Sequence, residues 1–318
     1  MDLVLYSNNF DCFSTSDDDD FFLNASTNLM GQQLILRNIS LLKSVYDIKF
    51  IEIPADLCHL TNSIHESFQS TIVKNRRSRH LLQNKINRRL NSRHRSTDTI
   101  AITKLVDHNS STLRIPYHSI LHVDKDGKLL VDEINYPWDF LKAVQRILDS
   151  EITSTKISSK AKISKTSIIE GPCIIEKGVV IDDFCKIKGP VYIGQNSFIG
   201  MGSLIRNSVL ERNTRIGFNC EIGKSYFAGN DKISHHNVIL DTLVGQNVWF
   251  GGYSGTANVL LDRRNVKCKV NDTLVDTGTD HFGSVVGNNC CIGASVIILP
   301  GRKVSPNSQI QAGTIVKS

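Results

Sequence analysis

The chain has 318 residues, 40% of them hydrophobic and 21% charged, with a formal net charge of +6. That is the makeup of a soluble globular protein with room for two domains. No run of about eighteen apolar residues exists, and the opening MDLVLYSNNFDCF lacks a basic region followed by an apolar one. Neither a membrane span nor a signal peptide is therefore expected, which points to a cytoplasmic protein with no membrane partner. The eight cysteines carry no CxxC spacing and read as reduced packing residues rather than disulfides or zinc ligands.

Residues 1 to about 150 open as an α/β unit. Leu3-Val4-Leu5-Tyr6 is a short apolar run, and the acidic residues Asp17 to Asp20 follow it. Leu34 to Leu42 has helical spacing, and Ile48 to Ile53 reads as a strand ended by Pro54. Strand, loop, helix, strand is the beginning of a Rossmann-like fold. From Lys74 to Arg95 the chain holds nine lysines and arginines and no acid. Such a segment suits nucleic acid or phosphate, but no aromatic residue is interleaved to stack on bases, so a solvated basic face packing on an acidic neighbour is preferred. Ser119 to Val131 contains Asp124-Lys125-Asp126-Gly127 between two apolar runs, a hairpin signature. Tyr136-Pro137-Trp138-Asp139 then starts a helix that runs to about Leu148.

Beyond residue 150 the pattern changes. An aliphatic residue returns every sixth position, at Ile157, Ile163, Ile169, Ile175, Ile181, Ile187, Ile193, Ile199 and Ile205, and again from Val286 to Val316. Six fits neither a helix nor a half-buried strand; it fits a solenoid in which each hexapeptide forms one face of a coil. Small residues four places on (Ala161, Ser167, Cys173, Cys185, Ser197, Ser203) suit the tight inside of the turn. Glycines after the aliphatic position, such as Gly194, Gly200, Gly217, Gly223, Gly287 and Gly293, are expected to supply corners with positive φ. The repeat is expected to break between about Gly229 and Gly283, where function is most readily attached.

The α/β opening, the Tyr-Pro-Trp-Asp helix and the hexapeptide solenoid together resemble the archaeal type of two-domain sugar-1-phosphate nucleotidylyltransferase/acetyltransferase. That family is related to the bacterial enzyme that makes UDP-N-acetylglucosamine. The likeness covers residues 115–318 well and the earlier ones weakly. It implies a reduced nucleotidyltransferase-like α/β domain over 1–150 and a left-handed parallel β-helix over 151–318. Gly31-Gln32-Gln33-Leu34-Ile35-Leu36-Arg37 resembles the family's G-x-P-L-I-x-R helix start. Ser7 to Ser16, however, lacks the glycines, arginine and lysine that hold nucleotide phosphates, so nucleotidylyl transfer is expected to be lost.

Within the solenoid the resemblance assigns roles. His235, in Lys232-Ile233-Ser234-His235-His236, sits where the family has its general base, and an imidazole is suited to deprotonate an attacking amine. Loop surface or a metal site remain open readings of the His235-His236 pair. Asn258 falls on an asparagine that contacts the acetyl donor or amino sugar, and Arg264, Lys267, Arg206 and Lys224 fall on basic positions suited to a sugar phosphate. Arg206 and Lys224, eighteen residues apart, would share one face of consecutive coils if the coil is eighteen long. Ala294 and Ala312 resemble small residues lining a pantetheine groove, and Arg302 and Lys303 suit coenzyme A phosphates, although small residues inside a solenoid also have a purely structural explanation. Acetyl-CoA is then the co-substrate, with no metal needed. Departures are Val238 for a tyrosine, Leu240 for a glycine, Trp249 for an asparagine, and Gly251-Gly252-Tyr253-Ser254 for Gly-Ala-Gly-Thr. These imply an altered substrate or lost activity, and a non-catalytic assembly partner is the alternative reading. Exposed Phe198, Phe227, Val248, Trp249 and Tyr253 predict a homotrimer that covers them and makes the site composite.

Overall fold

The computed structural model describes residues 128–270 and 273–317, and before them 2–6, 28–45, 48, 50–54, 72–76, 100–101, 106–107, 112–116, 119–123 and 126. Ser7 to Ser16, the acidic run Asp17 to Asp20 and the basic residues after Arg76 lie outside the described residues. The chain divides into two compact units. One contains Met1–Phe10, Asn24–Ser26 and Gln32–Asn135; the other contains Asp11–Leu23, Thr27–Gly31 and Tyr136–Ser318.

In the first unit, the strands Ile72–Arg76, Phe50–Pro54, Asp2–Tyr6 and Thr112–Pro116 lie parallel in that order, and Val106–Asp107 adds an antiparallel edge. Helix α1, Leu34–Val45, starts where the Leu34-Ile35-Leu36 run begins. Ile120–Val123 and Leu129–Asp132 pair antiparallel as the expected hairpin. Asn38 ties α1 to that hairpin, donating from Nδ2 to the Ser119 carbonyl at 2.7 Å and accepting the Leu121 N–H at 3.2 Å. Arg37 spends its guanidinium on the Leu121 carbonyl.

The second unit is a parallel β-solenoid of short strands with three eight-stranded faces. Down the first face Ile157, Ile175, Ile193, Leu210, Phe227, Val244, Val286 and Val304 are in register. Down the second run Ile163, Ile181, Ile199, Ile216, Ile233, Phe250, Ile292 and Ile310. The third carries Ile169, Ile187, Ile205, Ile222, Ile239, Thr256, Ile298 and Val316. These side chains form one continuous core, each fully buried member stabilising by about 1.5–3 kcal/mol. Cys173, Cys185, Cys220 and Cys290 are buried, unbridged corner residues.

Four features differ from the sequence expectation. The repeat does not stop at Gly229: Ile233, Ile239, Val244, Phe250 and Thr256 stay in register, and the interruption lies between Thr256 and Ser284. The six-residue phase is lost because the coils from Ile193 to Val244 are seventeen residues long, one short of three hexapeptides. Consequently Arg206 registers with Gly223 and not with Lys224.

The named glycines do not supply the positive φ. At the first corner asparagines do: Asn196, Asn213, Asn230, Asn247, Asn289 and Asn307 all have φ between 58° and 61°. Several also bond each other's side chains across coils, as Asn213 Nδ2 to Asn230 Oδ1 at 2.8 Å. Gly217 and Gly293 are required by close approach: an added Cβ would lie 2.7 Å from the Ser234 carbonyl oxygen or 2.5 Å from the Ala312 nitrogen. Finally, Phe227 and Val248 are buried inside the coil, while Trp249 and Tyr253 remain 46% and 65% exposed.

Helix α2, Pro137–Glu151, begins at a proline, with the Asp139 carboxylate accepting the Tyr136 N–H at 3.0 Å. Its buried residues Phe140, Leu141, Val144, Ile147 and Leu148 recur at helical spacing. They face the outer side of the first face, where Tyr192, Val209, Tyr226, Leu243 and Val285 are all buried. The Phe140 ring meets Tyr226 edge-on at 5.0 Å. This leaves the second and third faces as the ones with open outer surfaces, marked by exposed Trp249, Val238, Ile297 and Ile315.

Candidate functional site

Two corners of the solenoid gather the residues singled out by sequence. At the corner between the second and third faces, His235, Gly252, Ala294 and Ala312 occupy the same place on four successive coils. The residue after each donates its N–H to the one before: Tyr253 to the His235 carbonyl at 2.9 Å, Ser295 to Gly252 at 2.9 Å and Gly313 to Ala294 at 2.8 Å. His235 is thus an exposed imidazole heading a file of residues that bear at most a methyl group. The Phe218 N–H donates to His235 Nδ1 at 3.2 Å, so the neutral ring carries its proton at Nε2. His236 is held differently, stacked on Tyr253 at 4.7 Å and edge-on to Phe218 at 5.1 Å. His236 and Tyr253 sit at φ 57° and 59°, in the left-handed region that favours asparagine or glycine.

The corner between the third and first faces carries Asn207, Lys224 and Asp241 in one column, each at φ 47° to 48°. Asn258 Nδ2 donates to Asp241 Oδ2 at 2.6 Å, bringing the candidate catalytic asparagine onto this column. A cleft of about 350 Å³ opens here between α2 and the loop that returns to the solenoid at Phe282. Lys224 and Asp241 line it from the coils, Trp138, Lys142 and Gln145 from the helix. Among the described residues no carboxylate pairs with the Lys224 ammonium.

The other cations do not converge on this cleft. Arg206 is engaged with Glu221, Nη2 to Oε1 at 2.9 Å and Nε to the same oxygen at 3.1 Å. Arg264 is exposed and bound to Asp262 two residues away at 2.6 Å. Lys267 opens an antiparallel hairpin, Lys267–Val270 with Thr273–Asp276, inside the interruption. Arg302 and Lys303 lie on the first face, where Arg302 Nε donates to the Lys317 carbonyl at 2.5 Å, so they stand apart from the Ala294–Ala312 file. Cys268 in the hairpin is buried, which raises its thiol above the ordinary range, with Lys303 and Arg302 opposing.

Sequence reasoning passed over Asp241 as a partner and the three α2 residues. Trp138, Lys142 and Gln145 stand at i, i+4 and i+7, one face of a helix, and that spacing was the available signal.

Two repeat families match the solenoid: the bacterial transferase hexapeptide (six repeats) over residues 172–207, and the hexapeptide repeat of succinyl-transferase over residues 284–318. The bifunctional protein GlmU of Methanococcus aeolicus is 34% identical over 188 residues, which are 59% of this chain and 44% of the relative. The bifunctional sugar-1-phosphate nucleotidylyltransferase/acetyltransferase of Sulfurisphaera tokodaii is 28% identical over 202 residues, 63% of this chain and 49% of the relative. The chain thus spans about a fifth to a half of the length of the curated relatives it matches. A solved UDP-N-acetylglucosamine acyltransferase aligns with 50% of this chain and 69% of its own at 16% identity and a TM-score of 0.30, too loosely to relate side chains.

Proposed function

We propose, from the premise that this chain is a hexapeptide-repeat protein homologous to those bifunctional enzymes, that it is an acyltransferase. It would move the acetyl group of acetyl-CoA to the amine of an amino-sugar phosphate of the glucosamine-1-phosphate or galactosamine-1-phosphate type. The observation that supports this most is the file His235, Gly252, Ala294, Ala312: an exposed imidazole followed, coil by coil, by residues with no side chain beyond a methyl group, along which an extended thioester arm would lie. The amine nitrogen attacks the thioester carbonyl carbon, the C–S bond breaks, and coenzyme A leaves as its thiol(ate). His235 takes the proton the nitrogen sheds. To do so the ring gives up the Phe218 N–H and presents an unprotonated nitrogen, a small cost for an exposed side chain held by one 3.2 Å bond.

His235 and the Asp241–Asn258 pair stand at different corners of one chain. A threefold assembly that packs the exposed second and third faces of adjacent chains would bring one chain's His235 corner to its neighbour's Lys224–Asp241 corner. Burial of Trp249 and Tyr253 supplies the apolar contact such an assembly needs. The acetyl-transfer site would then be composite. Nucleotidylyl transfer is proposed to be lost, on the absence of glycine, arginine and lysine between Ser7 and Ser16.

Release of free thiol from acetyl-CoA, assayed against a panel of amino-sugar phosphates, tests the reading. Turnover that falls by about 10²-fold or more in His235→Ala is expected; equal rates remove His235 as the base. Absence of acetyl-CoA binding and of sugar-phosphate binding by calorimetry, with co-purification of an active homologue, would favour an assembly partner instead.

A further inference from the structure

Helix α2 is the part of this unit that a solenoid does not need for its own coil geometry, yet it supplies one wall of the cleft. We infer that α2 belongs to the acceptor site, with Lys142 and Lys224 facing the phosphate of the amino sugar from opposite walls and the buried Trp138 bracing the helix wall behind them. The inference deepens the acyltransferase reading and rests on it.

The first support is the arrangement of cations. Of the basic residues near this corner, Arg206 is neutralised by Glu221, and Lys224 is the cation from the coils that lines the cleft without a carboxylate partner among the described residues. Lys142 faces it from the helix, its Nζ donating one N–H to the Thr277 carbonyl at 3.0 Å and leaving two donors. Burial lowers the Lys142 pKa, an ammonium partly stripped of water being one that gains most from an arriving anion. A phosphate dianion offers acceptors for both lysines at once.

The second support is the rigidity of the wall. Trp138 is 2% exposed and clamped on both sides, stacked on Tyr136 at 4.5 Å and edge-on to Phe282 at 6.0 Å. Gln145, which lines the cleft, is held by donating from Nε2 to the Asn207 carbonyl at 2.9 Å. A wall fixed in this way keeps the Lys142 ammonium in place across the cleft from Lys224, so that little order has to be gained when a phosphate arrives. At the far side the Asp241 carboxylate, already accepting from Asn258, attracts the positively charged amine and holds it until it is deprotonated for attack.

The test separates this inference from the reading beneath it. Calorimetry with glucosamine-1-phosphate, unphosphorylated glucosamine and inorganic phosphate is run on the full chain, wild type, Lys142→Met and Lys142→Arg. Lys142→Met should weaken glucosamine-1-phosphate and inorganic phosphate about 10- to 100-fold, the loss of one charge-assisted hydrogen bond, and leave glucosamine unchanged. Lys142→Arg should recover most of the affinity, which a merely structural role in holding Thr277 would not require to track the phosphate. In turnover, KM for the sugar phosphate should rise while KM for acetyl-CoA stays. If wild type binds and acetylates the sugar phosphate but Lys142→Met changes neither Kd nor KM, α2 has no part in the site and the acyltransferase reading stands. If wild type binds none of the three ligands, the inference falls together with that reading.

Discussion

Replacing Glu211 by glutamine should stabilise the solenoid at pH 8 and do little at pH 4. Glu211 is 1% exposed at the first corner, and its Oε2 accepts the Gly31 N–H at 3.0 Å, with the Met30 amide also turned to the carboxylate. Burial pushes its pKa from 4.5 up to about 7; the amides and Arg212 act the other way, and Glu176 adds to the rise. The folded state therefore holds this proton more tightly than the unfolded chain. Below about pH 4.5 both states are protonated and nothing is lost; between about 4.5 and 7 stability falls as pH rises; above 7 the loss is complete. At 1.36 kcal/mol per pKa unit the loss amounts to about 3 kcal/mol. Glutamine removes the charge and keeps an oxygen for the Gly31 N–H. Urea unfolding of both proteins at pH 5 and pH 8, at one protein concentration, should show the wild type losing about 2.5 kcal/mol more than Glu211→Gln across that interval, part of the full loss lying below pH 5. Buried Asp231, whose pKa is also raised by burial, stays in both proteins and cancels in the comparison. Parallel pH profiles, or a variant less stable than wild type at pH 8, would refute the assignment.

Gly293→Ala places a methyl 2.5 Å from the Ala312 nitrogen and should cost about 1–3 kcal/mol or more in denaturant melts, because that neighbour is backbone and cannot turn aside. Phe140→Ala should lose about 3–5 kcal/mol, since the ring is fully buried against Tyr226, and protection of α2 amides from hydrogen exchange should fall with it. Sedimentation should find three chains together at micromolar concentration and single chains for Trp249→Glu; a stable, fully active wild-type monomer would dismiss the trimer. Mixed trimers of His235→Ala with Asn258→Ala chains should regain part of the activity neither homotrimer has, as residues meeting across an interface require.

The second unit was legible because a solenoid writes its fold as a period: one aliphatic residue per strand, with each coil resting on the last. What the period could not show was the length of the coil. Between Ile193 and the interruption one residue per coil is missing, so the aliphatic ladder steps from Ile205 to Leu210 and from Ile222 to Phe227, and a strict count of six loses it until Val286. The same missing residue moves Lys224 from the Arg206 column to the Asn207 column, and so from an ion-paired arginine to an open cleft. Glycine misled for a related reason. Its usual licence is positive φ, but here asparagine holds the first corner and glycine serves where coils touch backbone to backbone.

Candidate-site residues were legible where they recur at the coil period and hidden where they come from elsewhere in the chain. His235, Gly252, Ala294 and Ala312 share a corner because the coil places them there, across an interruption that separates Gly252 from Ala294 in sequence. Asp241 is seventeen residues before Asn258, one coil, and their bond follows from that spacing once the coil length is known. No period reaches Trp138 and Lys142: they join this corner through a helix that precedes the first coil, carried there by the packing of its apolar side on the coils, as Phe140 on Tyr226, and by the Gln145–Asn207 bond. Repetition therefore fixes what a coil can offer a ligand at each corner. On the acceptor site inferred above, selection among ligands would fall to the helix and the returning loop, the two segments that stand outside the repeat.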